Sequence, residues 1–188
     1  MKKIVTDCDG VLLDWAFAFD TYMIEQGMKR LPNTAQYFTQ SERYGIPQAE
    51  ALHHVNMFNQ SHCVGHIPAL RDSVQWVTEL ARQGWRFDVI SSLHMDRHAQ
   101  ALRKRNLLHL FGDVFDHIDC SLDFTKTKLS VLQARYQDSQ LIWLEDSVTH
   151  CEAGTQAGMH SIIMDHAYNR AWQGPRVHTW KELYDTTQ

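Results

Sequence analysis

Hydrophobic and polar positions run along this chain in two alternating rhythms. Ile4, Val5 and Thr6 are β-branched and form a short apolar run, which predicts a buried strand near the N-terminus. After Asp14 the rhythm lengthens to that of a helix. Residues 15–26 are apolar-rich and closed by Gly27, and Asp14 is placed to cap the helix start. From 29 to about 65 the chain is polar and aromatic, helix-like over 48–58, and punctuated by Pro32, Pro47 and Pro68. No strand pattern occurs there. Beyond Pro68, Val74, Val77, Leu80 and Ala81 recur at helical spacing behind Asp72 or Ser73 as cap, and that helix ends at Gly84. Strands are then predicted over 86–90, 114–118, 141–144 and 160–164. Helices are predicted over 98–107, 128–136 and 149–157. Alternating strands and helices predict a parallel sheet with right-handed crossovers. The expected fold is α/β: a Rossmann-like core of residues 1–14 and 69–188, with a small helical insertion at 15–68 after the first strand.

Composition narrows the function classes. A chain of 188 residues, 44% hydrophobic and 21% charged, can bury a core without staples. The net charge of −4 argues against a stable nucleic-acid complex or an anionic membrane surface. No stretch has the length of a membrane span, and the start has no leader-peptide architecture. Cys8, Cys63, Cys120 and Cys151 form no Cys-x-x-Cys pair, which fits reduced thiols in a cytoplasm. The 12 histidines read as surface or polar-core residues rather than as metal ligands. The expected assembly is a monomer or homodimer.

The chemistry sits at the predicted strand ends. The first strand runs into Asp7-x-Asp9 and then Gly10, which lets the backbone turn sharply or approach a ligand closely. The second ends at Ser91-Ser92, Lys126 and Lys128 precede a helix, and a later strand ends in Glu145-Asp146. Each motif has a plain alternative: an acidic turn, a helix cap, two solvated lysines, an acidic loop. In a parallel sheet, however, these ends meet at one edge, where ligands bind. Crowded carboxylates call for a cation, and hard oxygen ligands favour Mg²⁺. Mg²⁺, a lysine and a serine facing a carboxylate nucleophile make a phosphoryl-transfer site. A second carboxylate can protonate the leaving alkoxide and later deprotonate water.

The ordered set resembles the haloacid dehalogenase-like superfamily of aspartyl-phosphate phosphatases, over nearly the whole chain. That resemblance implies Asp7 as nucleophile, Asp9 as general acid/base, and Ser91, with Ser92 beside it, as phosphate-binding hydroxyl. It implies Lys128, or Lys126, as phosphate-binding lysine. Asp146 and Glu145 would hold Mg²⁺ together with the Asp7 side chain and the Asp9 backbone carbonyl. It also implies that 15–68 is a helical cap over the site, where His53, His54, Asn56, Asn59, His62 and His66 could meet substrate. A carboxylate at Asp9 departs from the dehalogenases, since halide needs no protonation. Glu145 to Met159 is similar to sugar-phosphate phosphatases and phosphoglucomutase-like members. Tyr168-Asn169-Arg170, Arg176 and Trp180 are similar to deoxyribonucleotidase-like members, although Trp180 and Leu183 could simply pack a terminal helix. Arg71 reads either as a phosphate-side contact or as a surface charge. The expected function is Mg²⁺-dependent phosphomonoester hydrolysis, of a nucleoside monophosphate or, alternatively, a sugar phosphate, with a phosphomutase or a non-catalytic phospho-ligand-binding protein as the other readings.

Overall fold

The first strand, β1 (Lys2–Thr6), lies at the centre of a six-stranded sheet in the order β3-β2-β1-β4-β5-β6, with every neighbouring pair parallel. The other strands are β2 (Trp85–Ser92), β3 (Phe115–Leu122), β4 (Ile142–Glu145), β5 (His160–Met164) and β6 (Arg176–Val177). This computed structural model describes residues 2–188, so residue 1 of the predicted core segment lies outside the described residues.

Successive side chains on a strand face opposite sides, so β1 feeds two separate cores. Ile4 packs with Phe87, Val89, Leu144 and Trp180 on one face. Val5 packs with Ile90, Trp143, Leu132 and Tyr136 on the other. The first face is covered by α4 (Ser73–Arg82), α5 (Arg97–Phe111) and α8 (Trp180–Thr186), through residues such as Val77, Leu107 and Leu183. The second is covered by α6 (Leu129–Tyr136) and α7 (Val148–Gln156). Covering both faces is what a parallel sheet requires.

Several boundaries differ from the sequence expectation. β2 extends through both serines, because its hydrogen-bonded partners continue to Leu122 of β3. β3 itself starts after Val114, whose amide bonds to Gly112 in a turn. β6 has only two residues, too few to show a period. Asp72 stands at the start of α4, but its carboxylate accepts from the Trp180 and Lys181 amides, each at 3.1 Å, and so caps α8 instead. Asp14 caps α1 (Trp15–Glu25) as expected, accepting from the Phe17 amide at 3.1 Å.

Between β1 and α4 the chain forms α1, α2 (Gln40–Tyr44), α3 (Gln48–Gln60) and a 3-10 turn over His62–Gly65. The two connections to this segment run side by side. The Asp14 amide donates to the Pro68 carbonyl at 2.9 Å, and the Leu70 amide to the Leu12 carbonyl at 2.8 Å. Phe19, Met23, Phe58 and Val64 join the same apolar cluster as Ile4. Among the described residues, no helix is long and apolar enough to cross a membrane.

Candidate active site

The strand order reverses direction at β1, with β2 and β3 on one side and β4 to β6 on the other. In such a sheet, ligands bind beyond the carboxyl ends of the strands at the switch point. The Asp7 amide donates to the Leu144 carbonyl at 2.8 Å, which fixes the end of β1 against β4. Asp7 leaves β1 here, Glu145 closes β4 and Asp146 follows it. Lys128, at the N-cap of α6, is buried between them: its Nζ lies 2.7 Å from Asp7 Oδ1 and 2.8 Å from Glu145 Oε2.

Burial, with the charge of Glu145 added, pushes the Asp7 carboxyl up to about 8. Burial likewise raises Glu145 to about 7, against the pull of Lys128. Burial and the charge of Asp7 raise Asp146 to about 6. Burial alone would lower the Lys128 ammonium, but Asp7 and Glu145 outweigh it and hold the pKa above its ordinary value. One lysine does not balance three buried carboxylates. Their oxygens come within 4.8 Å of one another, and an all-oxygen donor set of this kind fits a hard divalent cation such as Mg²⁺.

The three acids are not equivalent. Both oxygens of Glu145 are engaged, Oε2 by Lys128 and Oε1 by the Asp146 and Ser147 amides at 3.0 and 3.2 Å. Asp7 and Asp146 each keep an oxygen outside such contacts. The second oxygen of Asp146 accepts from the Tyr168 hydroxyl. Asn169 ties the same loop down, donating to the Asp146 carbonyl at 2.9 Å and the Met164 carbonyl at 2.8 Å. Gly10 lies against this carboxylate with φ of +73°, and a β-carbon there would overlap it. His166 hydrogen-bonds the Gly10 carbonyl at 2.7 Å, which makes the imidazole the donor.

Asp9 turns to the other side of the crevice, where its Oδ1 accepts from Arg103 Nη1 at 2.7 Å. Both predicted serines have a buried Oγ with no hydrogen-bond partner; Ser92 lines the cavity, whereas Ser91 is fully buried. The two lysines separate cleanly. Lys128 is in the site, whereas Lys126 is exposed and stands 3.8 Å from Asp123. Arg71 donates to the His178 and Asp165 carbonyls at 2.6 and 2.7 Å, which is a structural engagement. Of the cap residues His53, His54, Asn56, Asn59, His62 and His66, Asn59 lines the cavity. The cavity measures about 300 Å³, and its far wall is Trp15, Phe38, Gln40, Arg43, Leu52 and Val55.

Two further residues of the site, Arg103 and Arg43, do not stand out in the sequence. Arg103 does carry a signal there: it shares one face of α5 with Ala99, Leu102, Asn106 and Leu107, all buried. A charge on the apolar face of a helix is seldom buried without a partner, so its place in the pattern points to an acid opposite it. Arg43 carries no such signal, because α2 has only five residues.

No family model matches the chain, and no curated protein matches it. Solved structures do, and they share the fold of haloacid dehalogenase-like hydrolases. A haloacid dehalogenase-like family hydrolase from Streptococcus pneumoniae superposes with a TM-score of 0.69 at 16% identity, covering 100% of this chain and 99% of that one. CbbY from Rhodobacter sphaeroides, in complex with phosphate, gives 0.61 at 18% identity, covering 97% and 96%. The putative HAD-hydrolase YfnB from Bacillus subtilis, bound to magnesium, gives 0.61 at 16% identity, covering 98% and 97%.

Proposed function

We propose that this chain is a Mg²⁺-dependent phosphomonoester hydrolase that works through an aspartyl-phosphate on Asp7. The observation that carries the reading is the pairing of Lys128 with Asp7 and Glu145 at the β1/β4 switch point, beside the Asp146 carboxylate. The phosphate and magnesium held by two proteins of this fold support it.

Mg²⁺, held by the Asp7 and Asp146 side chains and the Asp9 carbonyl, would neutralise phosphate charge and let one anion approach another. Glu145 serves as the group that orients Lys128 and the acidic loop. Asp7 attacks phosphorus; the bond from phosphorus to the ester oxygen breaks, and Asp9 gives that oxygen its proton. Asp9 then takes a proton from water, which attacks the aspartyl-phosphate and releases inorganic phosphate. Lys128 and the Ser92 hydroxyl bind the phosphoryl oxygens as charge builds on them. Arg103 holds Asp9 by its Oδ1, so Oδ2 is the atom that carries the proton Asp9 gives and later takes. Helices of 15–68 act as a cap that walls the cavity from water.

The substrate is a small phosphorylated metabolite. Tyr168, Asn169 and Arg176, which carried the nucleotidase resemblance, are occupied in bracing the acidic loop and β6. They therefore do not favour a nucleoside monophosphate over a sugar phosphate. The test is phosphate release from p-nitrophenyl phosphate with Mg²⁺, with Asp7→Asn as the blank. Release by the wild type and none by the variant supports the reading. Equal activity in both, or none in a folded, Mg²⁺-loaded wild type, overturns it.

A further inference from the structure

The far wall of the cavity holds a cation that the chemistry above does not use. Arg43 is only 6% exposed, and it lines the same cavity as Asp7 and Lys128. Its Nε is buried with no hydrogen-bond partner. Lys128 and Arg103 account for the ion pairs at the site, and Arg43 forms none among the described residues. Gln40, one turn earlier on α2, also lines the cavity and also has a buried, unpartnered oxygen.

This is not a loose surface arginine. The Arg43 carbonyl accepts from the Leu31 amide at 2.9 Å and the Thr34 hydroxyl at 3.4 Å. The next residue, Tyr44, is buried and its hydroxyl donates to Asp20. α2 then stops at Gly45, whose φ of +66° is the left-handed turn that a glycine adopts freely. The backbone around Arg43 is thus fixed while its guanidinium is left without an anion. A buried guanidinium without a partner is costly, and such groups mark sites where something else supplies the charge.

The transferring phosphoryl group already has Lys128 on the sheet side. Arg43 comes from the opposite wall, on the inserted helices, where a leaving group would lie. We propose that Arg43 binds a second anionic group, a carboxylate or another phosphate, carried on the leaving alcohol. The planar fork of arginine suits either oxyanion. The preferred substrates are then phosphomonoesters of small hydroxy acids, or small bisphosphates, rather than esters of neutral alcohols. A cavity of about 300 Å³ sits at the small end of ligand sites and suits a spacer of a few carbons. This inference rests on the hydrolase reading for its first phosphate, and its test has an arm that does not need turnover.

The experiment compares glycerol 3-phosphate, 3-phosphoglycerate and 1,3-propanediol bisphosphate, which separates a neutral leaving group from a carboxylate and from a second phosphate. Wild type should favour at least one of the two anionic esters by about tenfold or more in kcat/KM, the range lost with one charge-assisted hydrogen bond. Arg43→Met should erase that preference through KM, while p-nitrophenyl phosphate and glycerol 3-phosphate change less than about twofold. Arg43→Lys should restore part of the preference, and melting curves establish that both variants fold. Calorimetric titration of 3-phosphoglycerate into Asp7→Asn, with and without Arg43→Met, reads the anion site without catalysis. Loss of binding in the double variant supports the inference even if no ester is hydrolysed. Three results overturn it: equal loss on every substrate, preference for nucleoside monophosphates over both anionic esters, or unchanged binding in the double variant.

Discussion

Replacing Asp7 by Asn should make the metal-free protein more stable at pH 8 while removing its activity. The carboxyl titrates near its ordinary 3.8 in the unfolded chain and near 8 in the fold. Between those values the folded state holds a proton that the unfolded state has lost. Native stability therefore falls as pH rises from about 4, and the loss is complete above about 8. At about 1.4 kcal/mol per unit, a rise of about four units sets a ceiling of about 6 kcal/mol. Lys128 loses one of its two partners in the variant, and Glu145 is relieved of a neighbouring charge, so a net gain of about 2–3 kcal/mol is expected. Urea unfolding in EDTA should show the two proteins nearly equal at pH 5 and the variant ahead at pH 8. With saturating Mg²⁺ at pH 8 the order should reverse, since the amide is a poorer ligand than the carboxylate. A wild type as stable as the variant at pH 8 without metal would show that the crowding of Asp7 with Glu145 and Asp146 carries no energetic cost.

Lys128→Met should cost about 3–5 kcal/mol in urea unfolding, because it leaves two buried carboxylates without their cation, and should abolish phosphate release. Lys126→Met should stay within about 0.5 kcal/mol of wild type and retain activity. Arg103→Met should lower stability by about 3 kcal/mol, the lower end for a broken buried pair because Asp9 keeps some exposure to water; thermal unfolding measures this, and Arg103→Lys should recover part of it. Gly10→Ala should cost about 1–2 kcal/mol for its left-handed backbone, and should weaken Mg²⁺ binding by about tenfold or more by displacing Asp146. Calorimetric Mg²⁺ titration separates those two effects.

What the sequence made legible follows from where the signals are local. β5 matches its predicted span, and the helical character of 15–68 is visible because no apolar run there alternates as a strand does. Asp7, Asp9, Lys128, Glu145 and Asp146 could be found because each sits at a strand end or a helix start. The sheet then brings those places together. Tertiary pairing decided what local pattern could not. The carboxylate of Asp72 caps a helix more than 100 residues away. β2 runs on through its serines because β3 is there to pair with. The helix start favours Lys128 over Lys126, and the burial of Lys128 beside Asp7 agrees. Arg43 was invisible because its importance lies in the lack of a partner, which only three-dimensional surroundings reveal.

The central place of β1 bears on how the molecule is made. Ile4 pairs with Phe87 on one side and with Ile142 on the other, so β1 gains its second neighbour 138 residues further along the chain. Until then, one edge of the central strand has no hydrogen-bonding partner, and contacts of such long range close slowly. A growing chain on the ribosome would hold that edge open until β4 has emerged. Asp7 can meet Glu145 and Asp146 only once β4 has docked, so the ability to hold a metal should appear late in folding, together with the closing of the sheet.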